Sequence, residues 1–278
     1  MAQASFYSLN TNMAAVTIRR YWMTTESALQ TTTARLSSGL RINTARDDPA
    51  GLVVSERILA QIKSMDAAVR NANEGISRAQ VGESAVGTMV SNLQRMKELA
   101  VQASNGTLTG ADRAILQEEF SQLQASVKDL VSNTDHDGAS LLDNANSAAF
   151  QVGTRPGQTV RVDNTDLSSM ATTVTALSLA DGTGALATAA NAALDTALET
   201  ATSAQASWGA MLSRFDSVVS QLETASSALT AARGRIVDAD FAAETANRSR
   251  LLLLQDSATA MLAQANARPQ LVLNLLLG

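Results

Sequence analysis

Between Pro49 and about Ser104 nothing strongly breaks a helix, and apolar residues recur three and four positions apart. The series runs Ile58, Ile62, Met65, Val69, Ala72, Ile76, Ala79, then Val86, Met89, Val90, Leu93, Met96 and Ala100. That spacing predicts a long helix with a coiled-coil-like seam. Glu83 and Lys97 interrupt one edge, while Gly82, Met89 and Met96 continue the other. The stripe therefore broadens and should meet more than one helix. Roughly 50 residues at 1.5 Å rise give a rod of about 75 Å, longer than most globular helices. A second long stripe, Phe215, Val218, Leu222, Ala225, Leu229, Ala232 and Ile236, has the same period, so the two rods can pair lengthwise.

Turn and cap signals divide the rest. Asp47-Asp48-Pro49 reads as an Asp N-cap followed by proline at the first helical position. Asn105-Gly106 ends the rod, and Thr109 or Asp112 can cap a helix to about Ser132, with Ile115, Phe120, Leu123, Val127 and Leu130 or Val131 inward. Residues 133–146 read as loop, with Asp137-Gly138 as turn residues. Over 149–163 the period changes to alternation around Gly153-Thr-Arg-Pro-Gly157, which predicts a β-hairpin with a type II turn at Pro156-Gly157. The Ser, Thr, Ala, Gly and Asp-rich residues 164–187 read as a short exposed connection. The last long helix begins between Leu186 and Asn191, and Asp238-Ala-Asp240 precedes a final helix that Pro269 should interrupt near Ala267.

The ends carry the most telling pattern. Residues 1–48 and 205–278 are helix-prone and striped with apolar residues, and the tail holds Leu271, Leu273, Leu275 and Leu276. Termini usually fray and are polar. An apolar end must be covered, and the other end plus neighbouring copies would cover it. The fold class expected is mainly α: long antiparallel rods in a coiled-coil-like bundle, one small β-hairpin and no sizeable outer domain.

Composition narrows the function classes. Hydrophobic residues make up 45% of the 278, which argues against wholesale disorder. Aromatics are only 3%, so the core is built from small side chains that suit long bundled helices. A net charge of −5 argues against nucleic acid as the main partner. The chain has no cysteine and one histidine, which argues against a metal site and excludes disulfides. No segment is apolar enough for a membrane span, and residues 1–6 lack the basic and apolar regions of a cleaved signal peptide.

Candidate chemistry is thin. His136, among loop residues and without a second histidine, reads as a surface or turn residue. Glu118 and Glu119 point about 100° apart on a helix, so they read as a solvated face and not an acid–base pair. Asp47-Asp48 reads as capping. No catalytic, cofactor or metal residue is expected, and the enzyme class falls away. Asn105-Gly-Thr107 and Asn247-Arg-Ser249 match the N-glycosylation pattern, which is common by chance.

Six segments in order carry a resemblance. Residues 35–51, Arg-Leu-Ser-Ser-Gly-Leu-Arg-Ile-Asn-Thr-Ala-Arg-Asp-Asp-Pro-Ala-Gly, strongly resemble the N-terminal signature of bacterial flagellins. Arg70–Ser77, Leu93–Gln102, Phe150–Gly153, Ala232–Asp240 and Met261–Asn266 match the same family. The resemblance implies a structural subunit that polymerises into the flagellar filament for motility. It places 1–44 with 239–278 in an inner tube and 45–165 with 188–238 in a rod domain. Residues 166–187 would stand in for the variable outer domains of larger members. It also implies a helical filament of self copies, junction, cap and export-chaperone partners, and an extracellular location reached by type III export. Arg95, Leu99 and Glu119 match positions that Toll-like receptor 5 recognises in members that activate it. Packing of the rods would rest on Ile58, Ile62, Met65, Val69, Ile76, Phe215, Leu222, Leu229 and Ile236. Polymerisation would use Leu271, Leu273, Leu275 and Leu276. A hook–filament junction protein of the same fold and a flagellin-like surface adhesin are the alternatives. The chain departs from the family at His136-Asp137-Gly138, where an aromatic-Asn-Gly run is common, at the bulky Tyr21-Trp22, and at its Leu-Leu-Leu-Gly end.

Overall fold

A computed structural model describes residues 11–181 and 183–277, the side chains of 269–277 excepted. The elements are α1 (Met13–Ser38), α2 (Pro49–Ala103), α3 (Gly110–Asn133), β1 (Asp135–His136), β2 (Ala139–Ser140), β3 (Ser147–Gln151), β4 (Thr159–Asp163), α4 (Ser168–Thr175), α5 (Ala185–Val237) and α6 (Phe241–Leu277). They fall into two compact units, residues 1–60 with 229–278, and residues 61–228.

The second unit holds the hydrophobic core. Residues buried along α2 repeat every seven positions, Ala72, Ala79, Val86, Leu93 and Ala100, with Ala68, Met89, Met96 and Ala103 on the companion line. Along α5 the same repeat places Ala187, Leu194, Ala201, Trp208 and Phe215 inward. A seven-residue repeat keeps one seam facing a partner helix. The helices run antiparallel: Phe215 lies on Gly75, Trp208 on Gly82, and Lys97 pairs with Asp195. Large rings on one helix meet glycines on the other, and this fixes the register. Of the expected seam, Ala72, Ala79, Val86, Met89, Leu93, Met96 and Ala100 are buried, whereas its Val69–Ile76 edge gives way to the line one residue back, Ala68 and Gly75. Val69 and Ile76 are half-buried and flank a line of Ala and Gly, because two rings already fill the space between the rods.

Local chemistry sets the boundaries. Asp48 Oδ1 accepts from Gly51 N at 2.9 Å and starts α2 ahead of Pro49. Thr109 and Asp112 form a reciprocal capping box at the start of α3. Residues 133–146, read as loop, include a two-residue antiparallel pair, β1–β2, turned by Asp137 and Gly138 at φ 56° and 72°. Both angles are left-handed, as a type I′ hairpin turn requires. Strands β3 and β4 form the expected hairpin, with Gly157 at φ 84° and Gln158 N donating to Arg155 O. Phe150 on β3 meets Phe215 edge-on, ring centroids 5.9 Å apart.

Two further expectations fail. Residues 166–187 are not an exposed connection: α4 forms there, and Leu167, Met170, Ala171, Val174 and Leu179 are buried. Gln124 Nε2 on α3 donates to Val174 O and Leu177 O at 2.7 and 2.9 Å, and Leu179 N donates to Gln117 Oε1. Four apolar residues at helix-like intervals, Leu167, Met170, Ala171 and Val174, were hidden by the Ser and Thr around them. Nor does Pro269 end the final helix, since α6 continues to Leu277. Proline removes one intrahelical bond, and the Gln, Leu and Val that follow can carry the helix on.

In the first unit α1 and α6 pack antiparallel. Asn12 Nδ2 donates to Ala265 O at 2.7 Å, Gln255 bonds Glu26, and Arg35 pairs with Glu244 at 3.1 Å. Gly39, at φ 73°, ends α1 and returns its N–H to Arg35 O. The chain then bridges Leu40 to Asp238, with Ala239 N donating to Gly39 O at 2.9 Å.

Candidate functional site

The unusual surface belongs to the first unit. Among its described residues only Ile42, Val237 and Ala265 are buried hydrophobics, joined by Thr32 and Ser55. Its helices leave large apolar side chains in solvent: Tyr21 is 68% exposed, Leu253 68%, Met13 64% and Met261 55%. Met23, Phe241 and Leu254 are exposed as well. Exposed apolar surface on this scale marks an interaction site. Among the described residues, α1 and α6 pack on each other and their outer faces meet no other helix of their own unit. The tail residues Leu271, Leu273, Leu275 and Leu276 lie outside the described side chains.

On the second unit, Arg95 Nε donates to Glu119 Oε1 at 2.8 Å and Arg95 Nη1 to Glu98 Oε2 at 2.9 Å. These bonds, Glu119's first, raise the arginine's already high pKa. Arg95 and Glu119 are each about half exposed, so they form a charged surface patch spanning α2 and α3. Leu99 does not belong to it. It is 1% exposed and turns into the core, because it lies beside the inward positions Met96, Ala100 and Ala103.

The rod residues divide by depth. Phe215 is fully buried and Leu222 nearly so, while Ile58, Ile62, Met65, Val69, Ile76, Leu229 and Ile236 are half-buried. His136 sits half-buried in β1. Among the described residues no group of three His, Asp or Glu side chains could hold a metal ion, and no helix is long and apolar enough to cross a membrane.

Four polar anchors, Gln124 among them, escaped the sequence pattern. Arg113 is 2% exposed, and its guanidinium donates to Ala103 O at 2.8 Å, Asn105 O at 3.1 Å and Asp181 O at 3.4 Å. It neutralises the carbonyl end of α2. Asp181 accepts from Leu186 N and Gly184 N and from the Thr183 hydroxyl, capping α5. Those donors, Leu186 N first, hold its carboxyl at about 2. Asn164 accepts from Arg78 Nη2 and donates to Ser140 O. A signal existed for Arg113 and Gln124. Arg113 falls seven residues before Phe120, and Gln124 seven before Val131, both on the buried stripe of α3.

Comparison with known proteins agrees with this geometry. Residues 9–147 match the family described as the bacterial flagellin N-terminal helical region, and residues 192–276 match its C-terminal helical region. A flagellin of Halalkalibacterium halodurans is 40% identical over 271 residues, covering 96% of this chain and 99% of the relative. A flagellin of Bacillus subtilis is 34% identical over 306 residues, covering 96% and 99%. Among solved structures, Bacillus cereus flagellin superposes with a TM-score of 0.51 at 30% identity, covering 55% of this chain and 88% of that one. Two terminal regions matched in order, near-complete coverage of relatives and the same helical architecture lead to one family: this chain belongs to the bacterial flagellins.

Proposed function

We propose that this chain, a structural subunit of the bacterial flagellar filament, polymerises by completing in the filament a hydrophobic core that its first unit lacks. One observation carries the reading: unit 1 buries three described hydrophobics and exposes Met13, Tyr21, Leu253, Leu254 and Met261. Burying apolar surface gains about 25 cal/mol per Å². Ordering backbone costs roughly 1–2 kcal/mol per residue. The terms are close, so the terminal segments hold their helices only where several copies cover them. Assembly is then confined to a growing end that presents such copies. On this reading 1–44 with 239–278 form the inner tube, and 45–165 with 188–238 the next layer. Leu271, Leu273, Leu275 and Leu276 extend the inner contact.

Truncation tests it. Removing residues 1–30 or 260–278 leaves a soluble helical protein that forms no filaments when seeded with filament fragments, scored by electron microscopy. Filaments from either truncation would sink the account.

The family resemblance supports finer roles: type III export, dedicated junction, cap and chaperone partners, and Toll-like receptor 5 recognition. The exposed Arg95–Glu119 pair suits a receptor contact, and buried Leu99 would act by holding α2 in place. Arg95→Ala should lower signalling of monomer in a receptor reporter assay while circular dichroism stays unchanged. Full signalling by that variant would remove Arg95 from the contact.

A further inference from the structure

We propose that Asn105 is a self-modifying position, converted by its own backbone to aspartate and isoaspartate. It belongs to the only Asn-Gly pair in the sequence, and the turn after α2 presents that pair for reaction. Asn105, Gly106 and Thr107 are all exposed. A side chain built on Gly106 would meet nothing within 4 Å, so no wall opposes approach to its nitrogen. Among the described residues nothing accepts from the Gly106 N–H, which leaves the nucleophile free. The electrophile is held. Thr107 N donates to Asn105 Oδ1 at 3.2 Å, which folds the side-chain amide back over the Asn105–Gly106 peptide and draws electron density from its carbonyl carbon.

The steps balance with water alone. A base removes the Gly106 amide proton, and the nitrogen attacks Asn105 Cγ. The Cγ–Nδ2 bond breaks and ammonia leaves, giving a five-membered succinimide. Water at Cγ then restores the main chain as aspartate. Water at the Asn105 backbone carbonyl carbon opens the ring the other way, and Gly106 is left attached through Cγ as isoaspartate. The backbone carbonyl has then become a carboxylate.

The second route meets a waiting cation. That carbonyl oxygen is the one to which Arg113 Nη2 donates at 3.1 Å, and all three of the guanidinium's partners are neutral carbonyls. Isoaspartate would give Arg113 a charged acceptor, and charge-assisted bonds are the stronger kind. Arg113 also polarises the carbonyl carbon at which water must add. The turn is therefore set to accumulate isoaspartate.

The test is peptide mass mapping of the full-length protein, aged in mildly alkaline buffer, with fragmentation that separates isoaspartate from aspartate. Asn146 is the internal comparison: it too is exposed, but Ser147 after it is fixed in the β3–β4 ladder. Asn105 should convert first, with isoaspartate in excess. Gly106→Ala should slow conversion by about tenfold or more, since a methyl group hinders the nucleophile, with an unchanged melting curve. An Asn105 that stays intact while Asn146 converts would overturn the proposal, as would Gly106→Ala converting at the original rate.

Discussion

At the residue scale, two glycines of α2, Gly75 and Gly82, make room for rings of α5. A Cβ on Gly82 would lie 2.9 Å from Trp208 Cε2, and one on Gly75 2.5 Å from Phe215 Cζ. Neither ring can swing away, because both are fully buried. Gly82→Ala should destabilise the protein by about 1–3 kcal/mol through overpacking. Trp208→Ala should cost about 3–5 kcal/mol through the cavity it leaves. Urea unfolding followed by circular dichroism measures both. Asp181 gives a pH dependence whose sign is fixed. Its folded pKa of about 2 lies below the ordinary 3.8. The stabilisation it adds is complete above the ordinary value and is lost as pH falls through about 2. Asp181→Ala should flatten that acid limb of the melting temperature, and an unaltered limb would show that other carboxylates govern it. Asp112 and Asp166, lowered by the hydroxyls of Thr109 and Ser168, slope the same way.

At the element scale, the helix ends are tied down more firmly than their sequence advertises. Arg113 gathers the ends of α2 and α3 and the residues before α5 through three carbonyls. Arg113→Met keeps volume but strands those acceptors, and should cost about 2–3 kcal/mol in the same unfolding measurement. A smaller loss, about 1 kcal/mol, is expected for Thr109→Ala, which removes one side of the α3 capping box. Helix α4 behaves as part of the core and not as a tether. Gln124 bonds two of the carbonyls at its end, and Met170 and Val174 are buried. An insertion at 168–176 should therefore lower the melting temperature, whereas the exposed turn at 155–157 should accept one freely.

At the scale of the whole molecule, the two units differ in what they bury. Residues 61–228 enclose rings, leucines and methionines, and the described residues of 1–60 with 229–278 enclose none of these. Opening free energy follows local burial. In the free subunit, amide hydrogen exchange should be fast along α1 and α6 and slow along Leu93–Ala103 and Ala201–Phe215. In the filament the difference should shrink as neighbours cover Tyr21, Leu253 and Met261. Equal protection of both units in the free subunit would contradict the assembly account.

The amphipathic period, the caps and the turns are local, and sequence alone determined them. Pro49 after two aspartates, Asn105-Gly106, Thr109 with Asp112, and Pro156-Gly157 each mark an element edge through chemistry that spans a few residues. The apolar stripes of the two ends are likewise written in the sequence. What tertiary structure decided was which of several apolar lines faces inward. Val69 and Ile76 flank a seam of Ala and Gly because Trp208 and Phe215, over a hundred residues away, need the room. Leu99 left the surface patch for the same kind of reason, and α4 joins the core where α3 offers Gln117 and Gln124 to its neighbouring carbonyl and N–H groups. Period is written in one segment, whereas burial depends on what a distant segment brings to face it.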